Sequence, residues 1–410
     1  MLYDKLEREK VFRDPIYGYI KVDYKVIDEL IDSKELQRLR RIRQLAGLSM
    51  TFHTAEHSRF GHSLGAYEMA RRVIENAEGI KDNLSEYEQI VLLCAALLHD
   101  IGHGPYSHAF EAVMKYNHHE DMTVRVILED TDVNKILNKY DSNLASDIAN
   151  VIAHKGKFKL VEQLTSSQLD VDRMDYLQRD SYFTGALYGT IDVERIIRSM
   201  KIVDHEVLYR ASGSPAIESY LMARYHMYNQ IYYHPVARSY ELLLQSIFLR
   251  IMDLNEQNIY ISSYIEDFIK AINEQDLKSY LFLDDAYVNG FIKILSKESS
   301  DKILKDLCVR FFDRGLYEVI DLKLEYDKDK VQRIMNKYTK DKVLCRYYFE
   351  RSSLSQYAYR HTDDIDKVDN IKILLPSGEK ISLEKYSPIV NGLINSAKNT
   401  FERIYYGCGE

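Results

Sequence analysis

The sequence predicts a mostly α-helical protein with a short N-terminal hairpin and a small α+β lobe at its C-terminal end. Three observations carry that expectation. Apolar residues recur at helical spacing from Ile27 onward, no proline stands between Pro235 and Pro376, and β-like alternation is confined to the two ends of the chain.

The elements follow in order. Residues 11–22 alternate apolar and polar around Pro15 and Gly18, as a hairpin does. Ile27, Leu30, Ile31, Leu36, Leu39, Ile42, Leu45 and Leu48 fit helices, while Gln37, Arg38, Arg40, Arg41, Arg43 and Gln44 load the other faces. Those basic and amide groups form either a solvated face or a phosphate-binding stripe. Ala66, Met69, Ala70, Val73, Ile74 and Ala77 share one side of the next helix and put His62 near its start. Ser85 with Glu88 reads as a capping box for a helix that is apolar almost all round from Ile90 to Leu98, hence enclosed by others. Gly102, Gly104 and Pro105 stop it, which places His99 and Asp100 in its last turn and His103 and His108 on the irregular chain beyond. Glu111 stands one helical turn after His108, within reach of its imidazole. Asp172, Tyr176 and Asp180 recur at i, i+4, i+8 on one helix face, and Gly185 and Gly189 mark a loop after them. Beyond Pro215 come an aromatic-rich helical stretch, residues 225–235, and long helices to about residue 325. Residues 326–330 are charged and 371–383 read as a second hairpin, dividing the chain into a 1–325 core and a 326–410 lobe.

Composition narrows the function classes. Lysine and arginine number 55 against 63 acidic residues, a net charge of -8, so there is no global basic footprint for nucleic acid or an anionic membrane. No apolar run reaches the roughly 20 residues of a membrane span, and Met1–Lys5 opens no signal-like apolar stretch. Cys94, Cys308, Cys345 and Cys408 are scattered without metal-binding spacing, as in a reduced, cytoplasmic protein.

Chemistry concentrates around His99-Asp100. Polar groups at the end of a core helix are costly unless paired or bound to metal, and this pair suits a divalent ion. His62 and Asp172, on other helices, complete a set of two histidines and two carboxylates.

The order His, His-Asp, Asp resembles the HD superfamily of metal-dependent phosphohydrolases. The surrounding words, 14–18 (DPIYG), 37–40 (QRLR), 59–65 (RFGHSLG), 99–108 (HDIGHGPYSH) and 170–176 (DVDRMDY), resemble its dNTP triphosphohydrolase branch across roughly residues 8 to 240. The resemblance implies an HD-domain helical core, with His62, His99, Asp100 and Asp172 holding manganese, magnesium, iron or zinc. It implies hydrolysis of a dNTP to deoxynucleoside and triphosphate, with His108 as the acid, tuned by Glu111 where the family more often has Asp. Arg59, His103, His119 and Arg173 match phosphate-contacting positions, Arg173 standing where eukaryotic members carry Lys. Gln44 and Leu45 match sugar contacts, Tyr176 and Asp180 the grip on the 3′-hydroxyl, and Tyr232 the ring that rejects ribonucleotides. Tyr233 departs from the family's Gln, which leaves base selectivity open. Lys10, Asp32, Gln37 and Arg40 match positions that bind an activating GTP or dGTP between subunits of a homotetramer. Two other readings stay open: an HD-type phosphodiesterase or nucleoside-monophosphate phosphatase, and a nucleotide-responsive regulatory or nucleic-acid-binding protein with a vestigial site.

Overall fold

The structure, a computed structural model, describes residues 4–114, 118–323, 327–356, 370–395 and 399–407, without the side chains of residues 108, 354–356, 395, 399 and 400. The N-terminal alternation resolves into antiparallel strands β1 (Lys5–Asp14) and β2 (Gly18–Tyr24), paired from Asp14↔Gly18 outward. Asp14 closes their turn by accepting the N–H groups of Ile16 at 2.8 Å and Tyr17 at 3.2 Å. Helix α1 (Lys25–Asp32) follows, burying Val26, Ile27, Leu30 and Ile31.

Residues 34–50 do not make the continuous helices that their apolar spacing suggests. They break into a five-residue helix (Lys34–Arg38) and two 3₁₀ turns, and the arginines of the basic stripe are drawn into partners. Arg38 is 2% exposed, donating to Leu283 O at 2.8 Å and His103 O at 2.9 Å, while Arg41 pairs with Asp284 and Arg43 with Glu56. Arg38 is thus tied into the core and Arg41 and Arg43 into ion pairs nearer the surface, so the three do not share one open basic face.

The site is framed by α2 (Arg59–Asn76), α3 (Glu86–Leu98), α4 (His119–Leu128), α5 (Val171–Thr184), α6 (Ser214–Met227) and α7 (Pro235–Glu256). Ser85 and Glu88 make the expected capping box, and α3 is buried continuously from Ile90 to Leu98. Asp170 caps α5 through the Arg173 N–H, and Gly185, at φ +73, ends it. Between α6 and α7 the aromatic stretch winds as a π-turn, Tyr228–Tyr232.

Apolar side chains gather in two clusters. One joins β2 and helices α1 to α6 to Ile371, Ile373, Leu383 and Val390 from near the C-terminus. The other surrounds α7 and begins at Tyr106, Ala109, Phe110 and Met122, immediately after His99 and Asp100. The His-Asp segment therefore lies at the seam of the two clusters.

The helical run beyond α7 ends at Phe312, earlier than the spacing suggests, and Glu318–Asp321 is a strand, β5. It joins β6 (Phe349–Gln356) and β9 (Asn399–Tyr406) in the order β5-β9-β6. The second expected hairpin is present as β7 (Lys372–Leu374) and β8 (Lys380–Ser382). It extends the hairpin of β3 (Met200–Val203) and β4 (Glu206–Arg210), with β7 parallel to β4 at Tyr209↔Ile373.

Candidate active site

His62 lies one turn into α2, His99 caps the C-terminal end of α3, Asp100 follows it, and Asp172 is the second residue of α5. Helix α3 thus ends at Leu98, two residues short of Asp100, which the sequence places in its last turn. His62 Nε2 lies 3.1 Å from His99 Nε2, 3.0 Å from Asp172 Oδ1 and 3.7 Å from Asp100 Oδ2. His99 Nε2 is 3.4 Å from Asp100 Oδ1 and 3.6 Å from Asp172 Oδ1. The inner atoms of His62, His99 and Asp172 lie within 4.8 Å of one another around one point, a mixed nitrogen and oxygen set that could hold a divalent ion, and Asp100 stands beside it, paired with Arg59.

The outer contacts decide which nitrogen faces that point. A carbonyl only accepts, so His99 Nδ1, 2.9 Å from Ala96 O, carries the proton and leaves its Nε2 lone pair inward. His62 Nδ1 lies 2.8 Å from Asp175 Oδ2, the carboxylate-histidine arrangement that orients metal ligands. Asp175 is fully buried between the Tyr17 hydroxyl at 2.6 Å and the Arg179 guanidinium at 2.9 Å to each oxygen. Burial pushes its carboxyl up, but Arg179 and His62 outweigh that and hold it at about 2. Arg179 reaches on to Asp14 at 2.8 Å, tying the β1–β2 turn to the site. A Cβ on Gly65 would lie 1.8 Å from Asp175 Oδ1, so only glycine lets α2 and α5 approach. Sequence reasoning gave Tyr17, Asp175 and Arg179 no role, although Asp175 and Arg179 stand at i, i+4 on the helix that carries Asp172.

Asp100 is gripped from the other side by Arg59, which also donates to Ser107 Oγ at 2.8 Å. His103 Nε2 lies 3.3 Å from Asp100 Oδ1, and burial together with the Arg59 charge pushes its imidazole down to about 3, so it stays neutral. Its ring stacks on His119 at 4.0 Å, and His119 Nδ1 lies 2.8 Å from Glu111 Oε1. A Cβ on Gly102 would lie 2.2 Å from Thr123 N, so this glycine lets α4 pack against the turn after Asp100. The His108 side chain lies outside the described residues, and with it the expected pairing to Glu111.

A cavity of about 730 Å³ opens from the ligand cluster. Gln44, Leu45, Arg59, Arg173, Tyr176, Asp180 and Tyr232 all line it, as do His103 and His119. Asp180 holds His57 Nε2 at 2.8 Å through one oxygen and accepts the Tyr232 hydroxyl at 2.7 Å through the other. The π-turn brings Tyr228 to the same wall, its hydroxyl 3.4 Å from that of Tyr176. His57, Tyr228, Arg238 and Glu241 escaped the sequence reading.

Lys10 with Asp32 and Gln37 with Arg40 form two separate pairs, and none of the four lines the cavity. Lys10 Nζ lies 2.6 Å from Asp28 and 3.4 Å from Asp32; Arg40 donates to Gln37 Oε1 at 2.7 Å and stacks 3.7 Å over Phe60.

Residues 59–180 match the HD domain and residues 191–281 the HD associated region. The chain is 39% identical to the uncharacterized protein YwfO of Bacillus subtilis over 98% of its own length and 93% of that protein. It is 30% identical to the deoxynucleoside triphosphate triphosphohydrolase SAMHD1 homolog of Dictyostelium discoideum, over 80% of this chain and 63% of that one. The crystal structure of a phosphohydrolase from Bacteroides thetaiotaomicron superposes with a TM-score of 0.83 at 27% identity, covering 97% of this chain and all of the other (100%).

Proposed function

The chain belongs to the HD-domain family of phosphohydrolases, and from that membership we propose that it is a metal-dependent deoxynucleoside triphosphate triphosphohydrolase activated by a guanine nucleotide. One observation carries the reading. The cavity that starts at the four-ligand cluster continues between Tyr176, Asp180 and Tyr232, so phosphate-binding and sugar-binding groups face one volume of about 730 Å³. The Dictyostelium relative's named activity supports the same assignment.

The convergence of His62, His99 and Asp172 supports a divalent ion there, with Asp100 beside them as the fourth ligand of this reading; manganese, magnesium, iron and zinc all accept such a set. Once bound, the ion supplies Lewis acidity toward water and a phosphate oxygen. Arg173 and His119 offset triphosphate charge from the cavity wall. Water attacks the α-phosphorus and the bond from phosphorus to the 5′-oxygen breaks. His108 gives its proton to that oxygen, releasing deoxynucleoside and intact triphosphate. Tyr232, pinned through its hydroxyl to Asp180, presents its ring where a ribonucleotide's 2′-hydroxyl would sit. Lys10, Asp32, Gln37 and Arg40 take the activating GTP or dGTP, with Asp32 reading the guanine edge in a homotetramer.

Chromatography of products from the four dNTPs, with and without GTP and in manganese or magnesium, tests this. Deoxynucleoside with intact triphosphate is the expected outcome; monophosphate or free phosphate would establish a phosphodiesterase or phosphatase instead. Asp32→Ala is expected to abolish the response to GTP.

A further inference from the structure

We propose that Arg238 and Glu241 read the Watson–Crick edge of the substrate base and make guanine the preferred one; this rests on the dNTP reading above. Phosphates at the ligand cluster and a sugar beside Tyr176, Asp180 and Tyr232 send the base toward the next stretch of chain. That stretch is Tyr233 and the first two turns of α7, from which Ala237, Arg238 and Glu241 line the cavity. The wall is braced from behind, because Arg403 of β9 donates to the Tyr233 carbonyl at 2.6 Å.

Arg238 Nη1 donates to Glu241 Oε2 at 2.8 Å, with side chains 22% and 25% exposed. Glu241 Oε1 meets Gln245 Nε2 only at 3.4 Å. The buried Nε of Arg238 and the buried Oε1 of Gln44, which lines the same cavity, find no hydrogen-bond partner among the described residues. A partly desolvated ion pair beside unfilled hydrogen-bonding capacity is costly until a polar ligand completes it.

Donor and acceptor patterns select the ligand. A carboxylate only accepts and a guanidinium only donates. Guanine presents two adjacent donors, N1–H and the 2-amino group, next to the acceptor O6. Glu241 can take both donors while Arg238 faces O6. Adenine, cytosine and thymine each offer a single donor group on that edge, so one carboxylate oxygen would lose its partner. Losing such a polar partner in a partly desolvated site discriminates between ligands.

The test compares wild type with Glu241→Gln, which keeps the shape but replaces one acceptor oxygen with a donor, and with Arg238→Gln. At saturating GTP, which fills the activating site, wild type is expected to turn over dGTP with the highest kcat/KM. In either variant the dGTP to dATP ratio should fall at least about tenfold. A second arm measures binding of each dNTP by calorimetry in EDTA, again with GTP present, and expects guanine-selective binding that both variants lose. Turnover without guanine preference, or an unchanged ratio in both variants, overturns this inference and leaves the triphosphohydrolase reading standing. If no dNTP is hydrolysed, that reading fails, and the binding arm alone decides: equal affinity for all four bases overturns the base-reading pair.

Discussion

The cluster of His62, His99, Asp100 and Asp172 and the Lys10–Arg40 set are both polar, yet they are held in opposite ways. Behind His62 stand Asp175, Arg179, Tyr17 and Asp14, all joined by hydrogen bonds in a buried chain. Lys10 is 38% exposed and Asp32 66%, and their partners lie within the same surface patch. Water screens the second set, whereas low dielectric strengthens every bond in the first and penalises any that is broken. The cluster around His62 is therefore held firmly from behind, whereas the exposed set rests on pairs that water screens.

Substitutions in the two regions should differ widely in effect. Removing a ligand outright has the largest effect: Asp172→Ala or Asp100→Ala should abolish both metal retention, read by elemental analysis, and turnover. Arg179→Ala leaves the buried carboxylates of Asp175 and Asp14 without their cation, and chemical denaturation should show a loss of about 3–5 kcal/mol. Asp285 shows what burial does to a carboxyl held chiefly by backbone N–H groups. It accepts the N–H groups of Arg43 at 3.0 Å and Tyr106 at 2.8 Å, and burial pushes its carboxyl up to about 6 against those bonds.

An elevated folded-state pKa means that stability is intact below about pH 4 and falls as the pH rises through 6, because only the unfolded chain ionises easily. Wild type should lose roughly 2–3 kcal/mol relative to Asp285→Asn between pH 4 and 7, measured by urea melts at each pH. A difference independent of pH would sink the argument. Asp175→Asn keeps the shape beside His62 but not the charge, and should weaken metal binding or turnover by about 10- to 100-fold. At the other extreme, Asp32→Ala should shift the unfolding midpoint by less than about 1 kcal/mol, the worth of an exposed ion pair.

Much of the site was legible because its parts carry strong local signals. The apolar run ending at His99-Asp100 announces a buried polar cluster, and Asp172, Tyr176 and Asp180 declare a shared face through helical spacing alone. The failures have physical causes as well. Arg38, Arg41 and Arg43 look like a phosphate stripe because spacing says nothing about distant partners. Those partners, Leu283, Asp284 and Glu56, come from elsewhere in the chain. Arg238 and Glu241 are an ordinary i, i+3 pair until the cavity is seen to reach them.

Read alone, then, the sequence determined the helical class, the two hairpins, the capped core helix and the choice of His62, His99, Asp100 and Asp172 as candidate ligands. These depend on local periodicity, turn chemistry and residue type, which act over a few residues. Only the tertiary structure decided that the 372–382 hairpin extends a sheet begun at Met200, that Asp14 and Tyr17 stand behind His62, and that α7 closes the far wall of the cavity. Those arrangements join residues distant in the chain, Tyr17 with Asp175 and Tyr209 with Ile373 among them, and the burial that makes such pairings favourable exists only once both hydrophobic clusters have formed around the seam.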